Sequence, residues 1–194
     1  KLGKNTRLKL YNRRRHLQAI GEIRFRSVPL KELSVFFEDL NRFHRMRWGK
    51  PCFGENAKDF HKLFLSRMST SQTASLSVIE HDSDPISVLY DIKAGSCIYN
   101  IQSGYLENFD TKLSLGTLHL GLAIEGAFDD QHVEIYDLLA GSGKRTFYKS
   151  LFKGEGIRFL TVQIIRKRWL RFAYQLQSWL PNKVRTMLNK VLRF

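Results

Sequence analysis

Apolar positions recur along the chain with two periods, and the switches between them mark its elements. Asn5 to Gln18 predicts a basic helix with Gly21 beyond its end. From Gly21 to Val28 the period is two, with Ile23 and Phe25 on one face and Glu22, Arg24 and Arg26 on the other, which predicts a half-buried strand. Pro29 suits a helix's first turn, and Leu33, Phe36, Phe37, Leu40 and Phe43 follow at helical spacing. This helix runs to about Trp48 and ends before Gly49-Lys50-Pro51. Asn56 can cap a second helix with Phe60, Phe64 and Met68 as its buried stripe. Three strands are then expected at 74–81, 85–93 and 96–104, with turns at His81 to Pro85 and at Ala94-Gly95.

After a loop at 105–114, Leu115 to Asp130 reads as a helix that is apolar almost all round and so packed on both sides. Val133 to Leu138 is a short strand, 140–143 a loop, 145–152 a short helix and Ile157 to Ile165 a last strand. The tail continues as a basic amphipathic helix with Trp169, Phe172, Leu176 and Trp179 on one side, broken at Pro181. The order β-α-α-β-β-β-α-β-α-β predicts an α/β (α+β) fold with a mixed central sheet and helices on both faces. The expected division is a basic N-terminal helix at 1–20, a main α/β domain at 21–165 and a basic amphipathic helical extension at 166–194.

Composition changes this picture in two respects. With 43% apolar residues and 14 Phe among 194 residues, the chain can bury a substantial core. The net charge of +14 belongs to the ends, because residues 1–26 carry 9 Lys/Arg against 1 acid and residues 156–194 carry 9 against none. The stretch between them holds 14 Lys/Arg and 17 acids, so a nucleic-acid-reading core is not expected. The basic ends suit an anionic membrane surface, RNA or an acidic partner. Two cysteines, Cys52 and Cys97, are too few for a disulfide scaffold and fit a reducing compartment. No apolar run approaches the roughly 20 residues that span a bilayer. A cytoplasmic protein, or one at the membrane periphery, is expected. The six His form no HExxH and no ligand cluster, so no metal is expected. Gly141-Ser142-Gly143-Lys144 lacks the earlier glycine of a P-loop, which would fall at Leu138.

Four short stretches carry a family likeness. Phe43-His44-Arg45-Met46-Arg47-Trp48 looks like an "LHxxRW" helix end, and Phe60-His61 like the "FH" of the next helix. Ser114-Leu115-Gly116-Thr117-Leu118 looks like an "SPG" phosphate loop, with Leu115 in the usual proline's place and Leu118 where a second small residue is expected. Tyr136 to Gly141, followed by Tyr148-Lys149, looks like an "FDFLxG…YK" block. In this order and spacing they resemble the CelD-type (BioF2-like) acetyltransferases, a GNAT branch related to the FemAB peptidyltransferases, over roughly residues 7–153.

The resemblance implies a GNAT-like acyl-CoA N-acyltransferase fold. It implies acyl transfer, typically acetyl, from acyl-CoA to an amine such as an amino sugar, by direct attack and thiolate release. The alternatives are a FemAB-like transfer from aminoacyl-tRNA and a non-catalytic module docking to membrane or RNA. A second GNAT-like domain upstream of Lys1 is also expected. The donor's phosphates would meet Ser114, Leu115, Gly116, Thr117 and Leu118, since the amides that open a helix are unsatisfied and partly positive. Ser114 can equally be an ordinary helix cap. A backbone N–H between Ile101 and Ser103 would hold the developing oxyanion. Asp137 reads as a base, or as an acceptor for amides of the 141–143 loop. Tyr148 reads as the acid for the departing thiolate or a rim residue, and Lys149 as an anion ligand or a partner of Asp137. His44 and Trp48, one helical turn apart, would line the acceptor pocket with Tyr105, and His44 is an alternative base or a satisfied core residue. Cys52 reads as inert and His119 as packing.

Overall fold

The computed structural model describes residues 3–68 and 74–139 and, beyond them, 149, 152, 154–157, 160, 162, 164, 166–169, 171, 172 and 175. Its elements in order are α1 (Lys4–Ala19), β1 (Ile23–Ser27), a 3-10 turn (Leu30–Glu32), α2 (Leu33–Trp48), α3 (Glu55–Met68), β2 (Ala74–His81), β3 (Asp84–Ala94), β4 (Cys97–Tyr105), α4 (Leu115–Ala127) and β5 (Ile135–Asp137). The sheet order is β1-β2-β3-β4-β5. The first four strands pair antiparallel and β5 joins β4 in parallel. This is the mixed α/β architecture expected, with α4 as the crossover a parallel pair requires. The β2–β3 hairpin turns on Asp82 and Ser83, both at positive φ (50° and 72°), the handedness a two-residue turn needs to follow the strands' twist.

Helical periodicity decides which faces meet the sheet. On α2, Leu33, Phe36, Phe37, Leu40 and Phe43 form one stripe that packs with Leu65, Leu76, Val78, Val88 and Tyr90. Each fully buried large side chain of this kind contributes about 1.5–3 kcal/mol. On the opposite face, Leu120 meets Leu89, while Leu115 and Leu118 join Leu17, Ile79 and Ile86. α4 lies between sheet and α1, and a Cβ on Gly121 would come within 2.9 Å of the Leu10 side chain. Its all-round apolarity is thereby explained.

Three expectations need correction. Phe60 is exposed, and α3 buries Leu65 and Lys58 instead, with Phe64 partly buried against the core. Lys58 is neutralised by Glu38 at 2.6 Å and Glu55 at 3.0 Å. On β1, Phe25 is half exposed, while Arg26 is held by Glu80 (2.6 Å) and Glu32 (2.8 Å), because β1 is an edge strand with little cover on either face. The last strand is not formed at the described positions of 157–165, where Ile157, Leu160, Val162 and Ile164 stand outside any strand and are 75–81% exposed. Alternation gives side chains a common face, but pairing with a neighbouring strand is what makes a strand, and these described positions have none. Most of the expected helix at 145–152 and most of the tail lie outside the described residues.

Lys1–Glu155 and Gly156–Phe194 form separate compact units. In the second, Trp169 and Phe172 sit on a helical segment and are exposed. Among the described residues no helix is long and apolar enough to cross a membrane.

Candidate active site

The parallel pairing of β4 with β5 is short. It covers only Cys97 to Tyr99 against Ile135 to Asp137, while β4 continues to Tyr105. Just past the parting point the β3–β4 register shifts, with Asp91 opposite Asn100 and Tyr90 opposite Gln102. Ile101 is thus the extra residue of a β-bulge, which bends its strand and re-aims the residues beyond it. Ser103 illustrates the result. Its N–H donates to Gln102 Oε1 at 3.0 Å and its carbonyl accepts from His44 Nε2 at 3.1 Å, so both backbone groups point away from β3, to the edge of β4 that is free among the described residues.

A cavity of about 670 Å³ lies along this edge. Its walls come from the last turn of α2 (His44, Arg47, Trp48), the following turn (Lys50, Pro51, Cys52), β4 (Gln102, Ser103, Tyr105) and the start of α4 (Ser114, Gly116, Thr117, Leu120). His44 must carry its proton on Nε2 to donate to a carbonyl, which leaves the other ring nitrogen as an acceptor. Burial and the neighbouring Arg47 push its pKa below the ordinary value, against the opposing effect of the Ser103 bond. Its ring lies 4.4 Å from that of Trp48. Arg47 sits over the Trp48 and Tyr105 rings, 4.5 and 4.9 Å from their centroids, donates to the Tyr105 hydroxyl at 2.6 Å and pairs with Glu107 at 2.6 Å.

Among the described residues, no side chain caps the opening amides of α4. The Ser114 hydroxyl bonds instead to that of Thr117, at 2.9 Å. Leu115 and Leu118, expected at the donor's phosphates, turn their side chains into the core and do not line the cavity. The residue at 116 is glycine for a local reason: a Cβ would lie 2.4 Å from the Tyr105 ring.

A family model described as "Acetyltransferase (GNAT) domain" matches residues 4–150. The chain belongs to the GNAT acetyltransferase family. It is therefore an acyltransferase. No protein of curated function matches the sequence. Solved GNAT structures share its fold at low identity. A predicted acetyltransferase from Clostridium acetobutylicum, solved with acetyl-CoA, has a TM-score of 0.54 at 11% identity, covering 76% of this chain and 99% of its own. The aminoglycoside acetyltransferase meta-AAC0020 from an uncultured soil metagenomic sample, in complex with trehalose, gives 0.54 at 10%, covering 74% and 97%. A possible acetyltransferase from Clostridium difficile gives 0.53 at 12%, covering 74% and 99%.

The cavity brings together His44, Trp48, Ser103, Tyr105, Ser114, Gly116 and Thr117 among the residues expected from sequence. Asp137 and Lys149 do not line it. Asp137 accepts from the Leu139 amide at 2.6 Å. Lys149 donates to the Leu138 and Leu139 carbonyls at 2.6 and 3.1 Å, and burial pushes its pKa down while Asp137 holds it up. Tyr148 and the 141–143 loop lie outside the described residues. Arg47, Lys50 and Gln102 were missed as site residues. For Arg47 a signal existed, since it is three residues from His44 and adjacent to Trp48. Cys52 also lines the cavity, but burial raises its thiol to about 11, so it is not a nucleophile at neutral pH. Asp91, buried under the splay, accepts from Asn100 Nδ2 (2.8 Å) and the Tyr136 hydroxyl (2.6 Å), and burial raises its pKa to about 6. Among the described residues no group of His, Cys, Asp or Glu could hold a metal ion.

Proposed function

We propose that this GNAT domain moves an acetyl group from acetyl-CoA to the amine of a small acceptor, as a member of the CelD-type branch. The observation that carries the reading is the Ser103 amide, turned away from β3 inside the cavity and engaged, among the described residues, only by its neighbour's flexible amide side chain. An incoming carbonyl replaces Gln102 there, and the fixed N–H stabilises the negative charge that grows on that carbonyl oxygen. The uncapped amides at 115–117 suit the donor's phosphates. Acetyl-CoA supplies the activated acyl group.

His44 is the base of this proposal. As a neutral imidazole donating through Nε2, it has one nitrogen free to take the ammonium proton of the acceptor. Asp137 and Lys149 act through the backbone at the exit of β5, holding the far side of the splay.

Calorimetric titration with acetyl-CoA, followed by CoA release in the presence of an amine panel, tests this. Binding with amine-dependent release is expected, and a chain that neither binds acetyl-CoA nor releases CoA sinks the reading. Because its pKa is lowered, His44 stays neutral at pH 7, and activity should lose this base only on an acid limb below about pH 6.5. His44→Gln should remove that limb and lower kcat by about 10²–10⁴-fold. An unchanged pH profile in the variant would remove His44 from the chemistry.

A further inference from the structure

The charged side chains that line the cavity are of one sign. Arg47 and Lys50 are its only charged lining residues among those described, and no Asp or Glu lines it. Glu107, the acid that touches Arg47, is 45% exposed and already consumed by that pair. Lys50 is exposed at the rim and has no ion pair among the described residues. The two cations come from the end of α2 and the turn after it. α2 packs on one face of the sheet and α4, whose amides suit the donor's phosphates, on the other. Between them lies the Ser103 amide.

From this placement we infer that the acceptor carries an anionic group, phosphate or carboxylate, beside its amine, and that Arg47 and Lys50 grip it. The inference rests on the acetyl-transfer reading above and adds the substrate class. Arg47 suits this role because two aromatic rings and the Tyr105 hydroxyl hold its plane, so little freedom is lost when its remaining N–H groups meet an oxyanion. The same field has a catalytic consequence. Cations near an ammonium disfavour its charged form, so the acceptor amine loses its proton more readily to a weak base such as His44. A polycation is repelled by this wall, which sets the chain apart from any acceptor bearing several ammonium groups.

The test compares matched amines under saturating acetyl-CoA: glucosamine, glucosamine 6-phosphate, glycine ethyl ester, glycylglycine and the polycation sisomicin. The anionic member of each pair should exceed its neutral counterpart at least tenfold in kcat/KM, with sisomicin the poorest. Arg47→Gln should erase the preference while the KM for acetyl-CoA stays within twofold. Lys50→Gln, at an exposed position, should reduce the preference at least threefold. Equal rates across each pair, preference for sisomicin, or no acetylation of any anionic member overturns the inference. So does a raised acetyl-CoA KM in both variants, since the cations then serve the donor. Calorimetry with acetyl-CoA alone separates the two failures: a chain that binds the donor but ignores the anion loses only this inference.

Discussion

Gly116 and Tyr105 occupy each other's space. A Cβ at 116 would lie 2.4, 2.8 and 2.9 Å from three atoms of the Tyr105 ring, which Arg47 holds through the hydroxyl. The sequence offers two reasons for a glycine at a helix start, ligand approach or mere tolerance, and the structure supplies a third. Gly116→Ala is expected to cost about 1–3 kcal/mol through overpacking, read as a lower urea midpoint. In a Tyr105→Ala background the clash is gone, and the same change should become neutral or stabilising by up to about 1 kcal/mol, because alanine is the better helix former. An equal cost in both backgrounds would show that the ring is not the obstacle. Ser114 makes a related point at the next position but one. A Ser at a helix start predicts a cap, yet its hydroxyl turns to Thr117, and the amides stay open.

At the level of elements, the site depends on where β5 leaves β4. Asp91 on β3, Asn100 on β4 and Tyr136 on β5 form a hydrogen-bonded chain across three strands at that point. This chain fixes how far the parallel pairing extends and so where the free edge begins. Tyr136→Phe removes one of the two bonds to a buried carboxyl and should cost about 1–3 kcal/mol, more at pH 8 than at pH 5. The sign comes from Asp91's pKa near 6: the bond favours the ionised form, which predominates only above that value. A cost independent of pH would detach Tyr136 from Asp91's charge. None of this chain was legible in the sequence, where Tyr136 is one letter of a family block and Asp91 an isolated acid in a strand. Periodicity exposes which face of α2 is buried because many residues repeat the signal. A contact between single residues on three strands leaves no periodic trace. The same asymmetry explains the site. His44 and Trp48 are four apart on one helix and could be paired from spacing, whereas Ser103's outward amide depends on a bulge that no side chain announces. Leu160, Val162 and Ile164 show the converse, a periodic signal with no partner strand among the described residues.

For the whole molecule, two buried groups set opposing dependences of stability on pH. His119, on α4, is enclosed between Ser77 Oγ (2.9 Å) and Ser87 Oγ (2.7 Å), and burial lowers its pKa from an ordinary 6.5 to about 3. Between those values the unfolded chain binds a proton that the folded chain refuses, so stability falls as pH drops from 6.5 toward 3, by about 1.4 kcal/mol per unit. Asp91 behaves in reverse. Its pKa rises from 3.8 to about 6, so within that window the folded chain holds a proton the unfolded chain has released, and stability falls as pH rises. From about pH 4 to 6 the two slopes are opposite in sign and similar in size, so they cancel in the parent chain. Substituting either group should uncover the other. Relative to the parent, Asp91→Asn should lose about 1.4 kcal/mol more for each unit of acidification from pH 6 to 4. His119→Gln, which keeps a donor and an acceptor for the two serines, should lose a similar amount for each unit of alkalinisation over the same range. Urea unfolding at pH 4, 5 and 6 for the three chains reads this directly. Parallel profiles for parent and variants would mean that neither group is held in the protonation state its burial implies. Opposite tilts would establish that the polar contacts on the α4 face and those beneath the splay are linked to folding with opposite sign.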